Sequence, residues 1–117
     1  MAITSELIGK LGGGTEIESW DVSGKGLKNT ATTLATIPVA SGEKKMLILM
    51  GQYERDMSQY DTMYILAGGG QKFKPYDKTR TLAMAQVLTS TTDVVLKNDH
   101  YTDNSFSGTI YLFDWEL

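Results

Sequence analysis

The chain has 117 residues, long enough for one domain with a real core and too short for two. It carries 11 basic and 14 acidic residues, a formal charge of −3, and apolar residues make up 41%. That balance argues against sequence-independent binding to nucleic acid, which needs clustered Lys and Arg. Cysteine is absent, so disulfide and thiolate chemistry are excluded.

Residues 2–14 read as a short arm. Thr4 can cap a helix whose second residue is Glu6, favourable at the positive end. Ile3 and Ile8 occupy the two positions of a hydrophobic staple. Lys10 lies in the last turn, and Gly12 suits a left-handed stop. Two turns are too short to hold without a docking surface. Leu7, Ile8 and Leu11 share the face that needs one, so they are interface candidates. Gly12–Gly14 follows as a joint, so that residues 1–14 are the arm and the single β-sandwich domain is expected over 15–117. The arm has no basic start and no long apolar run, so it does not read as a secretion signal. The longest apolar runs are five residues, as in Met46–Met50, far short of the ~20 that span a bilayer. The expectation is a protein made in a cytoplasm, with no membrane partner.

From Thr15 the pattern turns to β. Glu16–Val22 reads as a strand, and Ser23-Gly24-Lys25-Gly26 as a turn. Thr30–Val39 is rich in β-branched residues. Pro38 cannot donate to a ladder, so that strand lies at an edge or ends there. Ser41–Lys44 is a turn, and Lys45–Tyr53 reads as the central buried strand. Arg55–Asp61 is a polar loop. Thr62–Ala67 is a strand closed by Gly68-Gly69-Gly70, where three glycines mark a loop tip or a close backbone approach. Gln71–Asp77 is a longer excursion. Thr79–Thr89 alternates, with Leu82, Met84 and Leu88 on one side and Ala83, Ala85 and Val87 on the other. Ser90–Thr92 turns into Asp93–Lys97, and Asn98–Ser105 is a polar loop. The closing strand begins at Phe106. Its two alternating sets are both apolar: Phe106, Ile110 and Leu112 against Tyr111, Phe113 and Trp115. Both of its faces need cover, one from the core and one from another sheet, a loop or a second copy. Seven or eight strands with turns between them predict an all-β fold, an antiparallel β-sandwich or jelly roll with a short N-terminal arm.

Little in the sequence points to chemistry. His100, the only histidine, sits in a polar loop, and no serine lies in a nucleophile elbow. The run Asn98 to Asn104 offers oxygen ligands but lacks the spacing and trailing Glu of a calcium loop. Neither glycine triplet is a phosphate loop. Glu16 and Glu18 share a strand face, with nothing to single them out as a hydrolytic pair. No catalytic residue, metal or cofactor is therefore expected, and the chain does not read as an enzyme. Aromatics remain as stacking surfaces or interface anchors. Tyr111, Phe113 and Trp115 are interface candidates. Phe73, Tyr76 and Tyr101 are candidates for contact from exposed loops. After Lys97 there are four acids and no base, while Lys25 to Lys97 carries ten bases against six acids. A solvated surface accounts for that asymmetry, and head-to-tail contacts between copies would also use it.

The opening MAITSELIGKLGGGTEIE resembles the openings of small virion proteins of tailed bacteriophages. So does TIPVASGEKKMLIL leading into a β domain that closes with SGTIYLFDWEL. The resemblance implies a compact sandwich presented on a capsid or tail, often as a symmetric oligomer such as a trimer. It implies a non-enzymatic part of the virion: a capsid decoration or head-fibre protein first, a tail or baseplate component second. The arm would then anchor to the shell, and the partners would be other copies and a capsid or tail protein. A carbohydrate- or receptor-binding sandwich reading a host-surface glycan is the alternative from another class.

Overall fold

The structure, a computed structural model, describes residues 17–27, 29–55, 62–76, 79–99 and 103–115. The arm, with Leu7, Ile8 and Leu11, and the loop aromatic Tyr101 lie outside them. Seven strands follow one another: β1 (Glu18–Gly26), β2 (Thr30–Ile37), β3 (Lys45–Tyr53), β4 (Met63–Leu66), β5 (Thr81–Leu88), β6 (Thr92–Asn98) and β7 (Asn104–Asp114). They form a four-stranded sheet in the order β1-β7-β3-β5 and a three-stranded sheet in the order β2-β6-β4, every pairing antiparallel. The two sheets pack face to face as an all-β sandwich.

The pairings nest. Ile65 and Phe73 exchange both backbone hydrogen bonds, at 2.8 and 3.0 Å, across the loop that holds Gly68–Gly70. Outside that hairpin β3 pairs with β5, β2 with β6, and β1 with β7. The chain is thus one long antiparallel ribbon with its tip at the glycine triplet, where all three residues have positive φ. Rolling the ribbon places alternate segments in opposite sheets. β7 then docks on β3, and β6 on β4.

Alternation supplies the core. Leu82, Met84 and Leu88 point in and are buried, while Ala83, Ala85 and Val87 face out. Leu47, Leu49 and Tyr53 of β3 are buried with Phe106, Ile110 and Leu112 of β7. Across from them stand Ile37, Ile65, Val94 and Leu96 of the other sheet. Burial of these side chains supplies the driving force, at about 25 cal/mol per Å² of apolar surface. Pro38 follows β2 directly, and β2 is an edge strand, as its lack of an N–H requires.

Three expectations need correction. Ser23–Gly26 is not a turn: β1 runs on to Gly26, which pairs with Asn104. The reason lies in the other sheet. A bulge in β2 leaves Leu34 without a partner opposite and lets both Leu34 and Ala35 pack on the core. Leu34 Cδ2 comes to 2.4 Å from where a Cβ on Gly24 would sit, so glycine there leaves room for the leucine side chain, which would have to shift for any larger residue. Second, β3 is central in its sheet but buried on one face only. Met46 and Ile48 are half-buried and Met50 is 48% exposed. Third, Asn98 and Asn104 are not loop residues. They end β6 and begin β7, and both are buried. Asn98 Nδ2 donates to the Gly26 carbonyl at 2.8 Å, tying one sheet to the other. Asn104 Oδ1 accepts from the Arg55 and Ser105 amides at 3.3 and 2.8 Å.

Gly51 and Gly108 face each other across β3 and β7. A Cβ on Gly51 would lie 2.3 Å from the Ser107 carbonyl oxygen and 2.6 Å from Phe106 Cζ. One on Gly108 would lie 3.1 Å from Phe106 Cε2. The Phe106 ring therefore lies across the glycine pair, with Tyr53 edge-on at 5.1 Å. Gly51→Ala is expected to cost about 3 kcal/mol through overpacking against backbone that cannot yield. Gly42→Ala, with φ at 84° and nothing within 4 Å, is expected to cost only about 1 kcal/mol of left-handed strain. Urea unfolding of the two variants checks the order, and equal losses would mean that Phe106 does not lie on the pair. Asn98→Ala is expected to cost about 2 kcal/mol, since it leaves the Gly26 carbonyl short of a donor. The same urea titration reads it.

Candidate functional site

Two surfaces of the four-stranded sheet stand out. The first is its outer face. Register places Phe113, Met46 and Val87 in one cross-strand row, Tyr111, Ile48 and Ala85 in the next, and Thr109, Met50 and Ala83 in a third. Eight of those nine side chains are apolar, on the side of the sheet that faces away from the core. Val87 is 39% exposed and Met50 48%. Tyr111 and Trp115 are half-buried, whereas Phe113 is only 4% exposed although it points outward. Trp115 packs edge-on to Phe113 at 6.1 Å. Its amide donates to the Lys44 carbonyl at 2.8 Å, which extends the ladder one residue past β7.

The patch has polar borders. Toward β1 the rows continue into Ser19 and Asp21, and Asp21 Oδ1 accepts from Thr109 Oγ1 at 3.1 Å. The fourth row is Ser107, Gln52 and Thr81. On the inward side of the sheet, at the strand ends next to Leu47 and Leu112, Lys45 Nζ meets Asp114 Oδ1 at 3.1 Å. The hydrogen bond to Asp114 raises the lysine pKa, against the opposing effect of its burial.

The second surface is an open cleft of about 580 Å³ at the far end of the same sheet, lined in part by Lys25, Gln52, Glu54, Arg80, Ser105 and Tyr53. It does not assemble a reaction centre. Tyr53 is fully buried beside it, and its hydroxyl has no hydrogen-bond partner among the described residues. Burial pushes the phenol pKa well up.

The other aromatics fall into different roles. Trp20 packs against the core. Phe73 is half-buried against the core and bridged to Ile65, so it is not a free contact residue of an exposed loop. Tyr76 is 78% exposed. Tyr64 lies on the outer face of β4, buried, with its hydroxyl donating to Asp99 Oδ2 at 3.0 Å and Lys72 Nζ 4.7 Å from its ring centre. Burial, then Asp99, raise its pKa. Asp99 also stands 3.8 Å from Lys97 Nζ. The oxygen-rich run is thereby divided: Asn98 and Asn104 serve backbone groups, Asp99 serves Tyr64, and residues 100–102 lie outside the described ones. Among the described residues no three His, Cys, Asp or Glu side chains gather as metal ligands. No described helix is long and apolar enough to cross a membrane, which says nothing of strands.

The Tyr111, Phe113 and Trp115 stripe was visible in the sequence. Its neighbours were not. Met46, Ile48 and Met50 sit beside it only because β3 pairs with β7, and their run of five apolar residues reads equally well as a strand buried on both sides.

No protein family matches the chain. No curated protein matches it. Among solved structures the chain is similar to one from the acidic stable capsid structure of Helicobacter pylori bacteriophage KHP30. The two are 14% identical, the similarity covers 88% of this chain and 99% of that one, and the TM-score is 0.43. A likeness this distant carries no weight for function.

Tyr53 gives a test with a pH signature. Its hydroxyl is desolvated without a partner, so Tyr53→Phe is expected to raise stability at neutral pH by about 1 kcal/mol. The sign of the pH effect follows from the raised pKa. Above the ordinary value of 10.0 the unfolded chain releases the phenolic proton and the folded chain keeps it. Stability thus falls as pH rises past that point. Tyr53→Phe should flatten this alkaline fall, leaving the part that comes from Tyr64 and Lys45, whose pKa values are also raised. Urea midpoints across the alkaline range check it. A variant less stable at neutral pH with an unchanged alkaline limb would show that the hydroxyl finds a partner.

Proposed function

We propose that this chain is a non-enzymatic structural protein of a bacteriophage virion, a capsid decoration or head-fibre protein that associates with itself and docks on the particle. The observation that carries the reading is the apolar patch on the outer face of the four-stranded sheet. A sandwich that met only water on this face would alternate apolar-in, polar-out. Here the outward positions of three adjacent strands are apolar, and the largest such patch on a monomer is often functional. Aromatic anchors beside methionine and isoleucine suit a protein contact, where burial of apolar area does the work. The setting is supported by the resemblance of residues 1–18 to the openings of small phage virion proteins. The connectivity also supports it: we read the nested ribbon rolled into two sheets as a jelly-roll arrangement, with the Ile65–Phe73 bridge in the place of its shortest strand. The work of such a part is mechanical. Copies bury surface against each other, with closed symmetry as the common solution and a trimer as one such arrangement, and against the shell. A tail or baseplate position would use the same surface. The protein would be made in the host cytoplasm and reside in the virion.

A second reading has one observation in its favour. Tyr76, at 78% exposure, offers a ring that a sugar could stack on. It predicts a monomer that binds a host-surface glycan.

Light scattering on the full chain and co-sedimentation with purified phage capsids separate the two. Assembly predicts an oligomer, pelleting with capsids, or both, together with silence on a glycan array. A monomer at high concentration that stays in the supernatant and binds glycan would replace the first reading by the second. Trp115→Ala tests the surface itself. It is expected to weaken assembly by more than it lowers the urea midpoint of the domain. The reverse would assign Trp115 to packing alone.

A further inference from the structure

We propose that the open edge of β5 is the seam at which a second copy of the chain adds, β5 against β5 about a two-fold axis. The inference rests on the self-association reading and names the strand that joins the copies. Each sheet has two edge strands, and an edge presents unpaired N–H and C=O groups that another strand can join. Three of the four edges are blunted. β1 carries Glu18, Asp21 and Lys25, and Thr32 Oγ1 of the other sheet donates to the Lys25 carbonyl at 3.3 Å. β2 is broken by the bulge at Leu34 and is followed by Pro38. β4 has only four residues, and Phe73 pairs with Ile65 on the side away from β6.

β5 has none of these devices. It runs from Thr81 to Leu88 without a register shift, and no charge, proline or glycine occurs between Arg80 and Asp93. The direction of its hydrogen bonds is fixed. The Tyr53 amide donates to the Arg80 carbonyl at 2.7 Å, and bonds to one neighbour recur at every second residue of an antiparallel strand. The backbone groups of Leu82, Met84, Gln86 and Leu88 therefore face β3. Those of Ala83, Ala85 and Val87 point away from it, where no described residue bonds them. The Thr81 amide, at the strand end, is taken by Thr79 Oγ1 at 3.2 Å.

The state of the other edges selects the occupant. Among its described strands a second copy can offer only its own β5, so the contact is isologous and closes at two. Antiparallel pairing with Ala83 opposite Ala85 of the second copy puts Thr81 opposite Val87. It keeps every inward residue on the inward side. Neither strand carries a charge, so no like-charge pair opposes the seam. The order β1-β7-β3-β5 then continues through the second copy's β5 as one sheet. The two-fold axis stands perpendicular to that sheet, so both outer faces lie on one side. The two apolar patches, each ending at β5, become one surface twice as wide, open to further copies or to the shell.

Amide hydrogen exchange of the full chain, followed residue by residue at high and low protein concentration, tests the seam. Ala83, Ala85 and Val87 are expected to exchange about tenfold more slowly at ~100 times the dimer Kd than when diluted well below it. Leu82 and Met84, bonded to β3, stay slow at both concentrations. Ala85→Pro removes one outward donor and spares the β3 ladder, so a folded monomer is expected by circular dichroism and light scattering. The exchange measurement needs no variant and stands should Ala85→Pro not fold. A folded Ala85→Pro dimer overturns the inference. Fast exchange of the three amides within an oligomer also overturns it and leaves association to the apolar face. Slow exchange that dilution does not change would mean that the chain covers its own edge, and overturns it as well. So does a trimer, because three edges cannot close in pairs. A monomer at high concentration that pellets with purified capsids refutes the inference alone. A dimer joined at β5 that stays in the supernatant upholds the seam and refutes the virion reading alone.

Discussion

The four-stranded sheet depends on how closely β7 approaches β3. Gly51 and Gly108 meet in that pairing without side chains, and the Phe106 ring fills the space above them. β7 is also the only described strand that holds β1 to the rest of the sheet. Removing the fit at the glycine pair would loosen both neighbours of β7 at once. The strand comes last in sequence, so the ribbon closes through contacts between distant parts of the chain. Such contacts are slow to form because loop closure must precede them.

The same strand sets the two faces against each other. Phe106, Ile110 and Leu112 belong to the core, and their burial fixes the register, since a slip of one residue would turn Tyr111 and Phe113 inward. Once the inward set is fixed, the outward set has no freedom. Pairing with β3 then brings Met46, Ile48 and Met50 alongside. The patch is thus a consequence of packing the core correctly with a sequence that is apolar at both parities. A solvated sheet would carry threonine, lysine or glutamate at those outward positions. Row four of this sheet, with Ser107, Gln52 and Thr81, shows the chain using polar residues where the patch stops.

Legibility in the sequence followed the range of the interaction. β5 could be read from Leu82 to Leu88 because its two faces differ in residue size and the period is two. The edge position of β2 could be read from Pro38, whose missing donor is a local fact. Gly24 and Gly26 could not. Two glycines close together look like a turn, but they lie in β1 against side chains far away in sequence, Leu34 at Gly24 and Leu96 and Met63 at Gly26. Asn98 and Asn104 looked like loop residues for a similar reason. An asparagine is usually a turn former, and the buried roles here depend on groups far away in sequence, the Gly26 carbonyl for Asn98 and the Arg55 amide for Asn104. Gly51 and Gly108 gave no signal at all, being isolated glycines whose partners are each other.

The functional surface divides in the same way. The stripe of Tyr111, Phe113 and Trp115 lies on one strand, so alternation reveals it. Its extent does not follow from alternation, because two thirds of the patch comes from β3 and β5. That extent is what decides its use. A stripe one strand wide would be closed by a single long side chain such as lysine lying over it. Three strands of apolar outward positions exceed what one side chain covers. What the patch offers is apolar area to bury against a partner.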